Sequence, residues 1–193
     1  MLNKLRRYVS DYVTALALFL HRLGFMPTHL TILGFLTISL SILPIIFLKY
    51  PLNILIFIIL IVTSGLFDML DGALARNLNL VSDKGGFLDS TLDRFTDSII
   101  FIYLLILDIG IDPVLILICA TTSLLISYIR SRAENIGINL QGVGIMERAE
   151  RILFIIGALS ISIYYPILDT AFTLLAILNV ITIIHRIYHV LKV

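Results

Sequence analysis

Tryptophan is missing from these 193 residues, and cysteine occurs once, at Cys119. A single thiol cannot close an internal disulfide, so a cross-linked secreted scaffold is excluded. Charge is scarce as well. Only 14% of residues are Asp, Glu, Lys or Arg, against about 25% in a soluble domain. Fourteen Lys and Arg against 13 Asp and Glu leave a formal net charge of +1, and no basic stripe marks a nucleic-acid surface. No linker, internal repeat or low-complexity stretch divides the chain, which reads as one domain over residues 1–193.

What the chain has is apolar length. Hydrophobic residues make up 59% of it and the mean hydropathy is +1.05, which marks an integral membrane protein. Six apolar runs follow one another at 31–48, 52–74, 86–107, 113–129, 152–165 and 167–187. At about 1.5 Å per residue each spans, or nearly spans, a hydrocarbon core. The expected fold is therefore all-α with six transmembrane helices. An even number of crossings puts both termini on one side. Of the Lys and Arg residues only Lys49 falls on the other side, together with Asp108, Asp112 and Asp169, so the termini are expected in the cytoplasm. The turns on the outer side carry Pro51, Pro113 and Pro166, residues suited to helix starts.

The first 22 residues place Arg6, Arg7, Asp11, His21 and Arg22 against Leu5, Tyr8, Val9, Tyr12, Leu16 and Phe19. This pattern predicts an amphipathic helix in the membrane interface, whether as a lipid-recruiting element or as a plain anchor. The basic, aromatic start reads as retained rather than as a signal peptide. His185 and His189 read as interfacial side chains.

Against this apolar background four carboxylates stand out: Asp68, Asp71, Asp89 and Asp93. An Asp at the centre of a membrane helix costs roughly 2.5–3.5 kcal/mol, so four cost on the order of 10 kcal/mol unless positive charge offsets them. Arg76 and Arg94 are the only cationic side chains close by. Asp68 and Asp71 are spaced i,i+3, and Asp89 and Asp93 i,i+4, so each pair shares one helix face. The short polar stretch 77–84 makes the two helices antiparallel neighbours, and the four groups are expected to converge near the cytoplasmic surface. An oxygen-only ligand set favours Mg, Mn or Ca over zinc. Gly72 gives a ligand close access to the backbone, Ala75 continues the small face, and Arg76 offers a planar fork for phosphate. Thr28 is expected as the N-cap of the first crossing, though Thr28 or Thr31 also lies where a nucleotide could be touched. Asp97 reads as a polar helix residue.

These residues form the pattern D-x2-D-G-x2-A-R-x8-G-x3-D-x3-D without a gap: Asp68, Asp71, Gly72, Ala75, Arg76, Gly85, Asp89, Asp93. The pattern resembles the signature of the CDP-alcohol phosphotransferases, and the topology resembles that family over nearly the whole chain. The resemblance implies transfer of a phosphatidyl-type group from a CDP-lipid to a hydroxyl, with release of CMP. It implies that the four Asp residues bind two divalent cations, Mg2+ or Mn2+, and that Asp93 also takes the proton of the attacking alcohol. Asp68, Asp71, Gly72, Ala75, Arg76 and Thr31 would contact the CDP moiety, and the protein would be a homodimer.

A second stretch, residues 127–151, bears on the acceptor. Arg130 and Arg132 end the fourth run, and Arg148 and Arg151 open the fifth. Three or four arginines at one membrane level suggest an anionic acceptor, most simply a phosphate monoester, although Glu134, Glu147 and Glu150 offer local ion pairs. Tyr128, Arg130, Arg132, Ala133 and Glu134, with Gly144, Ile145, Glu147, Arg148, Glu150 and Arg151, resemble the inositol-phosphate branch of the family. That implies inositol phosphate as acceptor. The segment 146–151 and the isoleucine-rich helices resemble archaeal members, with CDP-archaeol as donor. A bacterial-type relative would use CDP-diacylglycerol.

Other readings stay in view: glycerol 3-phosphate or serine as acceptor, a CDP-inositol donor, or a divalent-cation transporter with acids along its path. Against transport, the acids cluster near one surface rather than at the midplane.

Overall fold

A computed structural model describes the backbone of residues 2–107 and 109–192, with side chains described from Ser10 onward except Ile45 and residue 108. The expected contributions of Leu5, Arg6, Arg7, Tyr8, Val9 and Asp108 lie outside the described side chains. The chain is all-helical, with no strand among the described residues. Among the described residues eight helices follow in order: α1 (Leu2–Arg22), α2 (Pro27–Ser39), α3 (Ile42–Phe47), α4 (Leu52–Asn77), α5 (Asp83–Ile106), α6 (Pro113–Asn135), α7 (Arg148–Ser162) and α8 (Leu168–Lys192).

Among the described residues, four segments are long and apolar enough to cross a membrane: Pro27–Pro44, α4, α6 and α8. Two of the six expected crossings fall short of that measure for separate reasons. α5 has the length, but Asp83, Lys84, Asp89, Asp93, Arg94 and Asp97 occupy its first four turns. α7 is 15 residues long, about 22 Å at the helical rise, and opens on Arg148. The first expected run is broken into α2 and α3. Around Leu40 and Ser41 the hydrogen bonding tightens, with Ser41 N donating to Ile38 O at 3.0 Å.

Helix starts follow the prolines. Pro113 is the first residue of α6, and the Asp112 carboxylate caps it by accepting from Val114 N at 2.7 Å. Pro27 likewise opens α2, so the N-cap is Met26 and not Thr28 as the sequence led us to expect. Pro at the first helical position places the cap two residues before Thr28. The His29 ring Nδ1 meets the Met26 N–H at 3.3 Å in place of a hydroxyl cap.

The chain divides into two compact units, Met1–Leu43 with Ile59–Ile99, and Pro44–Ile58 with Ile100–Val193. In the first, Ala17, Leu30, Leu70, Ala73 and Leu74 form a buried cluster, flanked by Val13, Phe25 and Phe67. Tyr12, Leu16 and Phe19 project from α1, and Leu23 from the turn just after it, with exposures of 49–77%. Gly34 lets α2 approach α4 closely: a Cβ there would stand 3.2 Å from Phe67 Cβ and 3.3 Å from Ser64 O. In the second unit, α8 packs along α6 and more briefly along α7. Phe57 stacks on Tyr103 at 3.5 Å, and the Tyr103 hydroxyl donates to Asn53 O at 3.0 Å. Asn179, fully buried, donates to Thr122 Oγ1 at 3.0 Å and Ser123 Oγ at 3.3 Å, which pins α8 to α6.

Candidate functional site

Local chemistry at a tight helix–loop–helix joint brings the carboxylates together. α4 ends with Leu80 N donating to Ala75 O at 2.9 Å and Asn79 N to Arg76 O at 3.4 Å, while Asn79 adopts φ +54. This is a left-handed helix stop, a conformation that Asn tolerates better than most residues. α5 begins three residues after Leu80, at Asp83. Ser82 Oγ accepts from Gly85 N at 3.1 Å and serves as its cap. A Cβ at Gly85 would stand 3.1 Å from that same oxygen, so a larger residue there would crowd the cap. The last turns of α4 and the first turns of α5 are thereby held next to each other.

Asp68, Asp71 and Asp89 each present one carboxylate oxygen within 4.8 Å of the others. Asp71 is the most buried of the three, at 6% exposure, and its Oδ2 accepts no hydrogen bond. Thr31 and the Gly72 N–H lie against the same carboxylate. A buried carboxylate oxygen without a donor is costly, and three carboxylates gathered this closely repel one another. The set suits a hard divalent cation, whose metal–oxygen distances of about 2.0–2.6 Å match oxygens gathered this closely. Asp93 lies a turn further along α5, outside this triplet. Its Oδ2 is 3.5 Å from Arg94 Nη1, and that Nη1 also donates to Ser90 O at 3.0 Å. Asp97, one more turn on, is buried at 4% exposure.

Beside the triplet opens a cavity of about 550 Å3, lined by Thr28, Thr31, Asp71, Gly72, Ala75, Arg76, Ser82, Gly85 and Asp89 among others. The motif glycine at 72 has a specific neighbour. A Cβ there would stand 3.1 Å from Arg76 Nη1, so the guanidinium lies over the bare backbone one turn back. Leu80, Val81 and Ser82, on the connecting loop, also line the cavity and were missed in the sequence reading. Their signal was weak: two apolar residues and a serine in a polar linker.

In the second unit, the arginines expected to hold an anion are distributed unevenly. Arg130 Nε donates to Glu134 Oε1 at 2.8 Å, and Arg132 is exposed. Arg148 opens α7 half-buried, whereas Arg151 is 2% exposed and donates from Nη1 to Met146 O at 3.2 Å. The sequence reading overlooked Arg186, on α8. Its side chain is 2% exposed, and the charges of Arg130, Arg151, Glu134 and Glu147 all act on it. An Arg inside an apolar helix is the signal that pointed there.

Helices apolar enough for a bilayer, together with an acid-lined polar cavity, are the setting of a membrane-bound transferase. Comparison with known proteins supplies the class: residues 24–188 match the family described as CDP-alcohol phosphatidyltransferase. The chain belongs to the CDP-alcohol phosphotransferase family, and it is an enzyme of phospholipid biosynthesis. Among its relatives is the archaetidylinositol phosphate synthase of Methanothermobacter thermautotrophicus, 37% identical over 98% of this chain and 94% of that protein. The crystal structure of Mycobacterium tuberculosis phosphatidylinositol phosphate synthase with CDP-DAG bound superposes with a TM-score of 0.77. It is 34% identical and covers 92% of each chain. A second structure of that enzyme, in complex with manganese and citrate, gives 0.78 at 34% identity over 93% of this chain and 88% of the other.

Proposed function

We propose that this chain transfers the phosphatidyl-type group of a CDP-lipid to inositol phosphate and releases CMP, in a divalent-metal-dependent reaction. The observation that carries the reading is the close grouping of Asp68, Asp71 and Asp89 beside a cavity that Gly72, Ala75, Arg76 and Thr31 line. The acceptor is supported by the names of the relatives and by the arginines of residues 127–151.

The residues divide the work as follows. Asp68, Asp71, Asp89 and Asp93 hold two divalent cations, Mg2+ or Mn2+. Bound there, such ions supply charge neutralisation for a pyrophosphate and its departing nucleotide. Gly72 and Ala75 leave room for the CDP moiety, Thr31 contacts it, and the Arg76 fork faces a phosphate. Asp93 takes the proton from the acceptor hydroxyl; general-base help of this kind is worth about 10²–10⁴-fold. Its place outside the triplet suits a group that faces the nucleophile rather than the metal alone. Arg130, Arg132, Arg148 and Arg151 hold the acceptor's phosphate.

The chain forms one domain with six crossings, an interfacial α1, both termini and the active site at the cytoplasmic face of the cell membrane, and it works as a homodimer. The exposed Tyr12, Leu16 and Phe19 of α1, with Leu23 just after it, support the interfacial placement. The donor is CDP-archaeol or CDP-diacylglycerol.

The decisive assay supplies purified protein with CDP-archaeol or CDP-diacylglycerol, Mg2+ or Mn2+, and each radiolabelled acceptor in turn. Label from inositol phosphate should enter the lipid fraction with stoichiometric CMP. Incorporation from glycerol 3-phosphate or serine, and none from inositol phosphate, overturns the acceptor assignment.

A further inference from the structure

The α3–α4, α5–α6 and α7–α8 turns meet around a second cavity, of about 580 Å3. It shares no lining residue with the acid-lined cavity. Tyr50 enters it from the first turn, Gly110 from the second, and Tyr164 and Tyr165 from the third. All of these residues belong to the second compact unit. Hydrogen bonds between the turns fix the shape of the cavity. The Tyr50 hydroxyl donates to carbonyls at the end of α7, Ser162 O at 3.1 Å and Ile163 O at 3.2 Å. Asp112 N donates to Asp169 Oδ1 at 3.2 Å, which ties the α5–α6 turn to the start of α8. The space is thus preformed, and its size falls within the roughly 300–1,000 Å3 of small-ligand sites.

Asn53 gives the wall a buried donor. The residue is 7% exposed, its Oδ1 accepts from Ile54 N at 2.8 Å, and its carbonyl accepts from the Tyr103 hydroxyl at 3.0 Å. Among the described residues nothing accepts from its Nδ2. An amide N–H this deeply placed is costly without an acceptor, and here it belongs to a residue that lines an open space. The rest of the wall is neutral. Among the described residues no Asp, Glu, Lys, Arg or His lines it, so neither a phosphate nor a metal ion finds its counter-charge there. The wall offers one amide donor, carbonyl and phenol oxygens, and tyrosine rings. Hydroxyls of a neutral ring can accept from the amide and donate to the oxygens, while its C–H faces lie on the aromatic rings. Tyr164 and Tyr165 are 81% and 64% exposed, and tyrosines so placed on a membrane protein collect at the head-group level.

We propose that this cavity binds the neutral, polyhydroxylated ring of a sugar, presented by a glycolipid head group or free in solution. It is a binding site apart from the transferase cavity, and it does not depend on the acceptor assignment.

The test uses full-length protein in phosphatidylcholine nanodiscs free of sugar-based detergent. The chain has no tryptophan, so Tyr164→Trp installs a single fluorescent reporter and keeps an aromatic wall. One arm adds a monoglucosyl diacylglycerol to the bilayer, a second adds methyl glucoside to the buffer, and a third adds phosphatidylglycerol as control. A saturable emission shift in the first arm alone assigns the lipid source; a shift in the second shows that the free ring suffices. In the reporter background, Asn53→Asp keeps the oxygen that Ile54 N uses and removes the donor. Tyr165→Leu removes an exposed ring, and keeps the test open where the Asn53 variant fails to fold. Each should weaken the apparent affinity about tenfold, the scale of one lost buried contact. No saturable shift in either sugar arm overturns the proposal, as does an equal shift with phosphatidylglycerol. So does an affinity that Tyr165→Leu leaves unchanged.

Discussion

The contact between Gly72 and Arg76 allows a test in which stability and function should move in opposite directions. Gly72 lies inside α4 with no left-handed backbone, so alanine fits the helix without strain. In an ordinary helix interior, Gly→Ala gains about 0.8–1.0 kcal/mol. The new methyl, however, stands 3.1 Å from Arg76 Nη1 and 3.7 Å from Cζ and Nη2, so the guanidinium must give way by a few tenths of an ångström. If Arg76 hydrogen-bonds a phosphate of the CDP-lipid, misplacing that charged bond costs about 1.5–3 kcal/mol, or about 10–150-fold. Gly72→Ala should therefore raise the KM for CDP-lipid by at least tenfold while the melting temperature holds or rises. Gly65→Ala is the control, because a Cβ at that position on the same helix meets nothing within 4 Å. It should show the same stability gain with wild-type kinetics. Kinetics in detergent micelles and a thermal melt of both variants decide the matter. A wild-type KM in Gly72→Ala would refute the role of Arg76, and a drop in melting temperature would refute the packing argument.

Other outcomes follow from the same geometry. Asp93→Asn should lose turnover by about 10²-fold or more while retaining CDP-lipid binding measured directly. Asp71→Asn should abolish divalent-ion binding measured calorimetrically, since it removes the charge from the most buried carboxylate of the triplet. Chelation of wild-type protein should stop CMP release, and added Mg2+ or Mn2+ should restore it. Ser82→Ala removes the α5 cap and should lower stability by about 1 kcal/mol in a denaturation experiment, with a smaller effect on KM.

The acid motif was legible in the sequence because charge in an apolar chain is conspicuous and helical spacing fixes which groups share a face. The helix start at Pro113 was legible for the same local reasons, while the Asp112 cap came from the structure. The start of α2 was misplaced because Pro27 competes with Thr28 for the boundary, and a proline at the first helical position leaves the cap to Met26. The break between α2 and α3 has no strong local signal: Leu40 and Ser41 tighten the turn without a glycine at the junction. Arg186 was passed over beside His185 and His189 because its hydrogen-bond partners, the carbonyls of Ile126 on α6 and Val143 in the α6–α7 loop, lie more than 40 residues away in the chain. Asp93 was grouped with the other acids by its i,i+4 spacing from Asp89 and by the motif; Asp68, Asp71 and Asp89 present oxygens within 4.8 Å of one another, and Asp93 lies one turn further along α5.

The lone oxygen of Asp71 ties the folding equilibrium to the ionic medium. A cation that binds only the native chain adds stability as RT ln(1 + [L]/Kd), about 2.7 kcal/mol at a hundred times Kd. Melting curves recorded across a Mg2+ or Mn2+ series, with no lipid present, should climb with the logarithm of free metal, and their slope would count the ions taken up on folding.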